Sequence, residues 1–205
     1  MIDKEGRLDW LLYGIGLDSI ARAFRSTIKS FEAERSLIES DWAAHEKAVE
    51  AGEAETVVEE ETTGAYFDYG EHIGELLYEV EESKRLVREA FVTVLYHHWE
   101  KKVAELLSLK RYDQKKAFVA AKLVGWKTDE GMIDKLRMVA NCIKHDSTQS
   151  QTLNSLDKSY FDQAEIAHGW YDALRITDAH LEAFIEAVKS SGPPMKKWMG
   201  KPQEV

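Results

Sequence analysis

Cysteine occurs once in the 205 residues, as Cys142, and proline three times. A lone cysteine rules out an intrachain disulfide framework, and a chain of this length can bury a core without one and without structural metal. The stretch MIDKEGRLDW carries neither a basic leader nor an apolar signal core, and with the cysteine usage it leads to the expectation of a reducing, cytoplasmic setting. Long apolar runs are missing as well. The longest is AFVTVLY at 90–96, far short of the roughly 20 residues of a membrane span, so no membrane association is expected. Gly-rich phosphate loops and hydrolase elbows are absent. A carboxylate-bridged metal centre in a bundle needs two Glu-x-x-His pairs. One is present, Glu165 with His168, so neither a metal nor a cofactor is expected.

Positive charge is also scarce. The net charge of −10 argues against sequence-independent binding to nucleic acid, but the average conceals a pattern. Residues 1–100 hold 10 basic and 23 acidic side chains, residues 101–144 hold 11 and 5, and residues 145–205 hold 6 and 9. The basic excess therefore lies just upstream of His145. One local anionic ligand would account for it, and so would pairing with acidic neighbours in the same chain.

The apolar residues present follow helical spacing. Ile20, Phe24, Ile28, Phe31, Ile38 and Trp42 recur at intervals of three, four or seven, which predicts a long amphipathic helix from Leu17 to about Val49, entered after a turn at YGIG. Residues 50–64, with six Glu, two Gly and no aromatic residue, read as a mobile acidic connection. A second long helix is expected from about Tyr69 to Leu107, apolar on nearly every side near 90–96 and so central to the bundle. It turns polar at His97, His98 and Glu100. A short helix within 112–126, a motif helix capped near Thr128, and a last helix capped by Thr177 complete the set. The expectation is a single all-α domain over 1–205, an antiparallel bundle of four to five helices with two long ones, and a flexible tail at 193–205.

The motif helix carries the chemistry. In LRMVANCIKHDS, residues 136–147, Arg137, Asn141, Lys144 and His145 share an arc about 100° wide. Leu136, Val139, Ala140 and Ile143 share another. Arg137, Asn141 and His145 stand four apart and can meet one ligand lying along the helix. A histidine in the last turn feels the negative end of the helix dipole, which favours its protonated form. Cleavage of RNA by its own 2′-hydroxyl needs a proton acceptor, a proton donor and a cation on the phosphorane oxygens, and no metal.

With its long central helix and this motif, the sequence resembles the HEPN superfamily of small prokaryotic helical domains. The resemblance implies a homodimer with both motifs facing one cleft and a metal-independent endoribonuclease of toxin-antitoxin or antiviral type. RNA and an antitoxin or other protein would be its partners. Asn141 and His145 match the motif's polar residue and histidine. The usual arginine directly before the polar residue is replaced by Ala140, with Arg137 one turn earlier.

Two readings follow. In the first the chain is a ribonuclease: His145 is the acid-base group, Asn141 orients it, and Arg137 with Lys144 holds phosphate, backed by Glu100, His97 and His98. In the second it is a non-catalytic module for protein interaction or RNA or nucleotide binding, its polar wedge paired internally. Met138, apolar but outside the main stripe, is the sequence feature that places the motif helix at a dimer interface.

Overall fold

The computed structural model describes residues 5–59, 62–145 and 148–194. The fold is all-α, with two long helices, α1 (Glu5–Glu50) and α2 (Tyr69–Leu106). Among the described residues the only sheet is a two-stranded antiparallel ribbon of β1 (Val57–Glu59) and β2 (Tyr66–Asp68), with Val58 opposite Phe67. No described helix is long and apolar enough to cross a membrane. The backbone divides into two compact units: Ala23–Val87, and the described residues up to Arg22 together with those from Arg88 onward.

In Ala23–Val87 the second part of α1 runs antiparallel to the first part of α2. The two are tied by Arg35 to Glu81 (2.7 Å) and by Lys84, 5% exposed, to Glu32. The His45 ring stacks on Tyr69 at 3.9 Å between centroids, and Trp42 stacks beyond it. Strand β1 lies within the acidic stretch read as a connection, and β2 follows that stretch. Both strands are three residues long and mostly exposed on both faces, so they carry no period-2 pattern for a sequence reading to find.

The other unit holds the site. It contains α3 (Gln114–Leu123), α4 (Glu130–Lys144), α5 (Thr148–Leu156), the one-turn α6 (Trp170–Ala173) and α7 (Asp178–Ser190). Helix α4 lies against α5, α6 and α7, and Ile133, Leu136, Val139 and Ala140 have no exposed surface. Burial of each of the larger side chains contributes about 1.5–3 kcal/mol. On α2, Val92, Leu95, Trp99 and Val103 are wholly buried while Val94 is 46% exposed. The stretch read as apolar on nearly every side thus keeps one exposed edge at Val94.

Two local expectations change. YGIG is not a turn: α1 continues through it, and Gly16 is needed because a Cβ there would lie 2.7 Å from His98 Cε1. The cap of α4 is Asp129 rather than Thr128, its carboxylate accepting from Met132 N at 3.1 Å. Asp129 N in turn donates to Ser191 Oγ at the end of α7 (2.8 Å). The polar stretch after the motif contains α5. Thr177 caps α7 as expected, in a reciprocal pair with His180. Of the expected tail, Pro193 is buried and Pro194 exposed, and residues 195–205 lie outside the described residues.

Candidate functional site

Helix α4 presents its polar arc toward α2 and α5, and two groups of side chains form along it. The first centres on Arg137. Its Nε donates to Asp134 Oδ1 at 3.0 Å and its Nη1 to Gln149 Oε1 at 3.2 Å. Asn141 Nδ2 donates to the same Gln149 oxygen at 3.0 Å. Asp134 Oδ1 also accepts from Gln114 Nε2 (3.1 Å), whose Oε1 accepts from the hydroxyls of Tyr96 (3.3 Å) and Tyr112 (3.4 Å). Trp99 Nε1 donates to Tyr112 Oη at 3.0 Å. Both tyrosines ionise only well above their ordinary range, chiefly because burial penalises the phenolate, and Tyr112 is pushed up to about 12. They are hydrogen-bonding hydroxyls here, not bases.

The second group lies at the last turn of α4. His97 Nδ1 and Glu100 Oε2 are 3.0 Å apart, and Lys144 Nζ is 3.2 Å from His97 Nε2. A carboxylate only accepts and an ammonium only donates, so these contacts assign His97 the Nδ1–H tautomer with its lone pair on Nε2. Glu100 orients the ring, as a second group orients the base in an acid-base pair. His145 follows Lys144 directly. It leaves the helix in extended conformation, its N–H donates to Asn141 O at 2.9 Å, and its side chain is exposed.

The structure thus brings His97, Glu100 and Lys144 together, with His145 next in the chain. Arg137 and Asn141 meet at Gln149. Arg137 and His145 are eight residues apart, about 12 Å along a helix axis. His98 belongs to neither group. It points to α1, where its Nε2 lies 3.2 Å from Tyr13 O, and burial lowers its pKa, the Tyr13 carbonyl partly opposing that shift.

A cleft of about 820 Å³ adjoins both groups. Glu100, Tyr96, Tyr112, Asp134 and Arg137 line it, with Met138 and Phe118 among its apolar lining. Met138 is 3% exposed, so the apolar residue that pointed to an interface on the motif helix is already covered within one copy. Cys142 is buried and accepts from Ser150 Oγ at 3.2 Å, a packing role. Tyr96, Tyr112, Gln114, Asp134 and Gln149 were not singled out from sequence. Asp134 alone had a local signal, standing three residues before Arg137 on a helix. The others come from separate elements.

Among the described residues, no group of three or more His, Cys, Asp or Glu is placed to hold a metal ion. Comparisons with family models, with curated proteins and with solved structures find no match for this chain.

Proposed function

We propose that the protein is a HEPN-like, metal-independent endoribonuclease whose reacting groups are His97, Lys144 and His145. The observation that carries this reading is the Glu100–His97–Lys144 chain: an imidazole oriented by a carboxylate, its Nε2 lone pair accepting from the Lys144 ammonium, with His145 next in the chain after Lys144. In the proposed reaction His97 Nε2 takes the proton of the 2′-hydroxyl, and the 2′-oxygen bonds to phosphorus. His145 gives a proton to the departing 5′-oxygen as the P–O5′ bond breaks. Lys144 moves from His97 to the phosphorane oxygens, and the products are a 2′,3′-cyclic phosphate and a 5′-hydroxyl. Positioned acid-base groups each contribute about 10²- to 10⁴-fold, and a cation on the developing charge a similar amount.

This assignment changes the roles read from sequence. His97 acts as base rather than as support. Arg137 holds the cleft wall through Asp134 and Gln149, and Asn141 positions rather than reacts. In keeping with the resemblance, the setting is a cytoplasmic toxin-antitoxin or antiviral system. A homodimer and an antitoxin or other protein partner belong to the same reading. Incubation of the purified chain with mixed RNA in EDTA, followed by analysis of the new ends, tests it. Cyclic-phosphate ends support it, and the absence of cutting by freshly folded protein overturns it.

A second reading, a non-catalytic binding module, is favoured by one observation. The only arginine of the motif helix is held by Asp134 and Gln149, and Ala140 has no exposed surface. On that reading the chain binds RNA at low salt without cutting it.

A further inference from the structure

We infer that the cleft beside this site is a base-binding pocket selective for guanine. The inference rests on the ribonuclease reading for its orientation, but not for its chemistry. Three features of the cleft point to a planar ligand with a donor edge.

The first is the lining. Phe118, 9% exposed, and Met138, 3% exposed, are nearly covered apolar side chains that face the cleft, and Tyr112 and Tyr96 stand beside them. An apolar and aromatic surface of this kind takes the face of a base, and stacking does not distinguish one base from another. The second is the wall. Asp134 is fixed by three donor contacts from Arg137 and Gln114, all on Oδ1. Among the described residues its other oxygen has no partner. A fixed carboxylate with a free oxygen accepts hydrogen bonds and gives none, which suits the N1–H and N2–H₂ donors of guanine. The Arg137 guanidinium at its side suits the O6 acceptor. Adenine offers no N1–H, and the pyrimidines do not present two adjacent donors beside an acceptor.

The third is the placement. Glu100 both lines the cleft and orients His97. Arg137 and Lys144 are seven residues apart on α4, about 10 Å along its axis, a separation that one nucleotide spans with its base at Arg137 and its 3′-phosphate at Lys144. A guanosine seated in this way presents its own 2′-hydroxyl to His97, so RNA is cut on the 3′ side of guanosine.

Titration of the full chain with guanosine 3′-monophosphate and, separately, with the adenosine, cytidine and uridine 3′-monophosphates tests the pocket without any cleavage. Guanosine monophosphate is expected to bind at least about tenfold more tightly than the other three, the discrimination of one good paired edge. In Asp134→Asn, checked by circular dichroism for its helical content, that ratio should collapse toward one. Equal binding of the four by the wild type overturns the inference whether or not the variant folds, and so does a folded Asp134→Asn chain that keeps the preference. Mapping the cut sites separates this from the parent reading. Cutting with no preference for guanosine leaves the ribonuclease standing and removes the pocket. Guanine-selective binding without any cutting in EDTA keeps the pocket and removes the ribonuclease.

Discussion

An arginine at position 140 would have nowhere to put its charge. Ala140 has no exposed surface and sits among Leu136, Val139 and the elements packed on α4, so Ala140→Arg should destabilise the chain by something on the order of 4 kcal/mol rather than restore a motif. Thermal denaturation followed by circular dichroism checks this, and a variant as stable as wild type would show that the site is not core. The sequence offered Ala140 as a lost functional position because spacing alone cannot tell which side of a helix is covered. For the same reason His97 and His98 read alike, although one meets Lys144 and the other lies under α1. His98 sets a pH dependence. Its folded pKa is lowered, so below the unfolded value of about 6.5 the unfolded chain takes a proton that the folded chain resists. Stability is full above that value and is lost as pH falls through the folded pKa. His180, also lowered, adds to the effect, burial again being the main cause. Tm should therefore fall on acidification below about pH 6.5, and His98→Gln, which can still donate to Tyr13 O, should make the fall shallower. An unchanged slope would contradict this assignment.

At the scale of elements, the helices with long, regular stripes were legible and the joins were not. Both long helices and the Thr177 cap follow from spacing and cap chemistry. The YGIG stretch misleads because Gly signals a turn in one setting and a close approach in another. Gly16 serves the second purpose against His98, which only the tertiary structure reveals. Gly16→Ala puts a methyl 2.7 Å from His98 Cε1, and the shift it forces should cost about 1–3 kcal/mol. Gly14, where a methyl would meet nothing within 4 Å, is the internal control: Gly14→Ala should be neutral or mildly stabilising, as expected for a helix interior. Equal effects of the two in thermal melts would mean that α1 does not approach α2 there. Helix α5 escaped notice because TQSQTLNSL has little apolar content; Ser150 and Leu153 are its buried residues. With it went Gln149, the amide that joins Arg137 to Asn141.

At the scale of the whole molecule, the charge pattern was readable and its meaning was not. Part of the basic charge of residues 101–144 is paired internally, Arg137 with Asp134 and Lys135 with Asp157, whose carboxyl the lysine holds down to about 2. With a net charge of −10 and only two or three cations of the proposed site on phosphate, the chain should bind RNA with weak salt dependence, a slope of roughly −1.4 to −2 in log K against log salt for single strands. A much steeper slope would mean a broad basic surface in place of a local site. The central claim is that His97 and His145 are the two proton-transfer groups. Its most direct measurement is the initial rate of cleavage of an end-labelled RNA in EDTA by wild type, His97→Ala, His145→Ala and Arg137→Ala at matched helical content. The expected result is a loss of about 10²-fold or more for each histidine variant and a smaller loss for Arg137→Ala. A His97→Ala chain that cuts as fast as wild type would contradict the account.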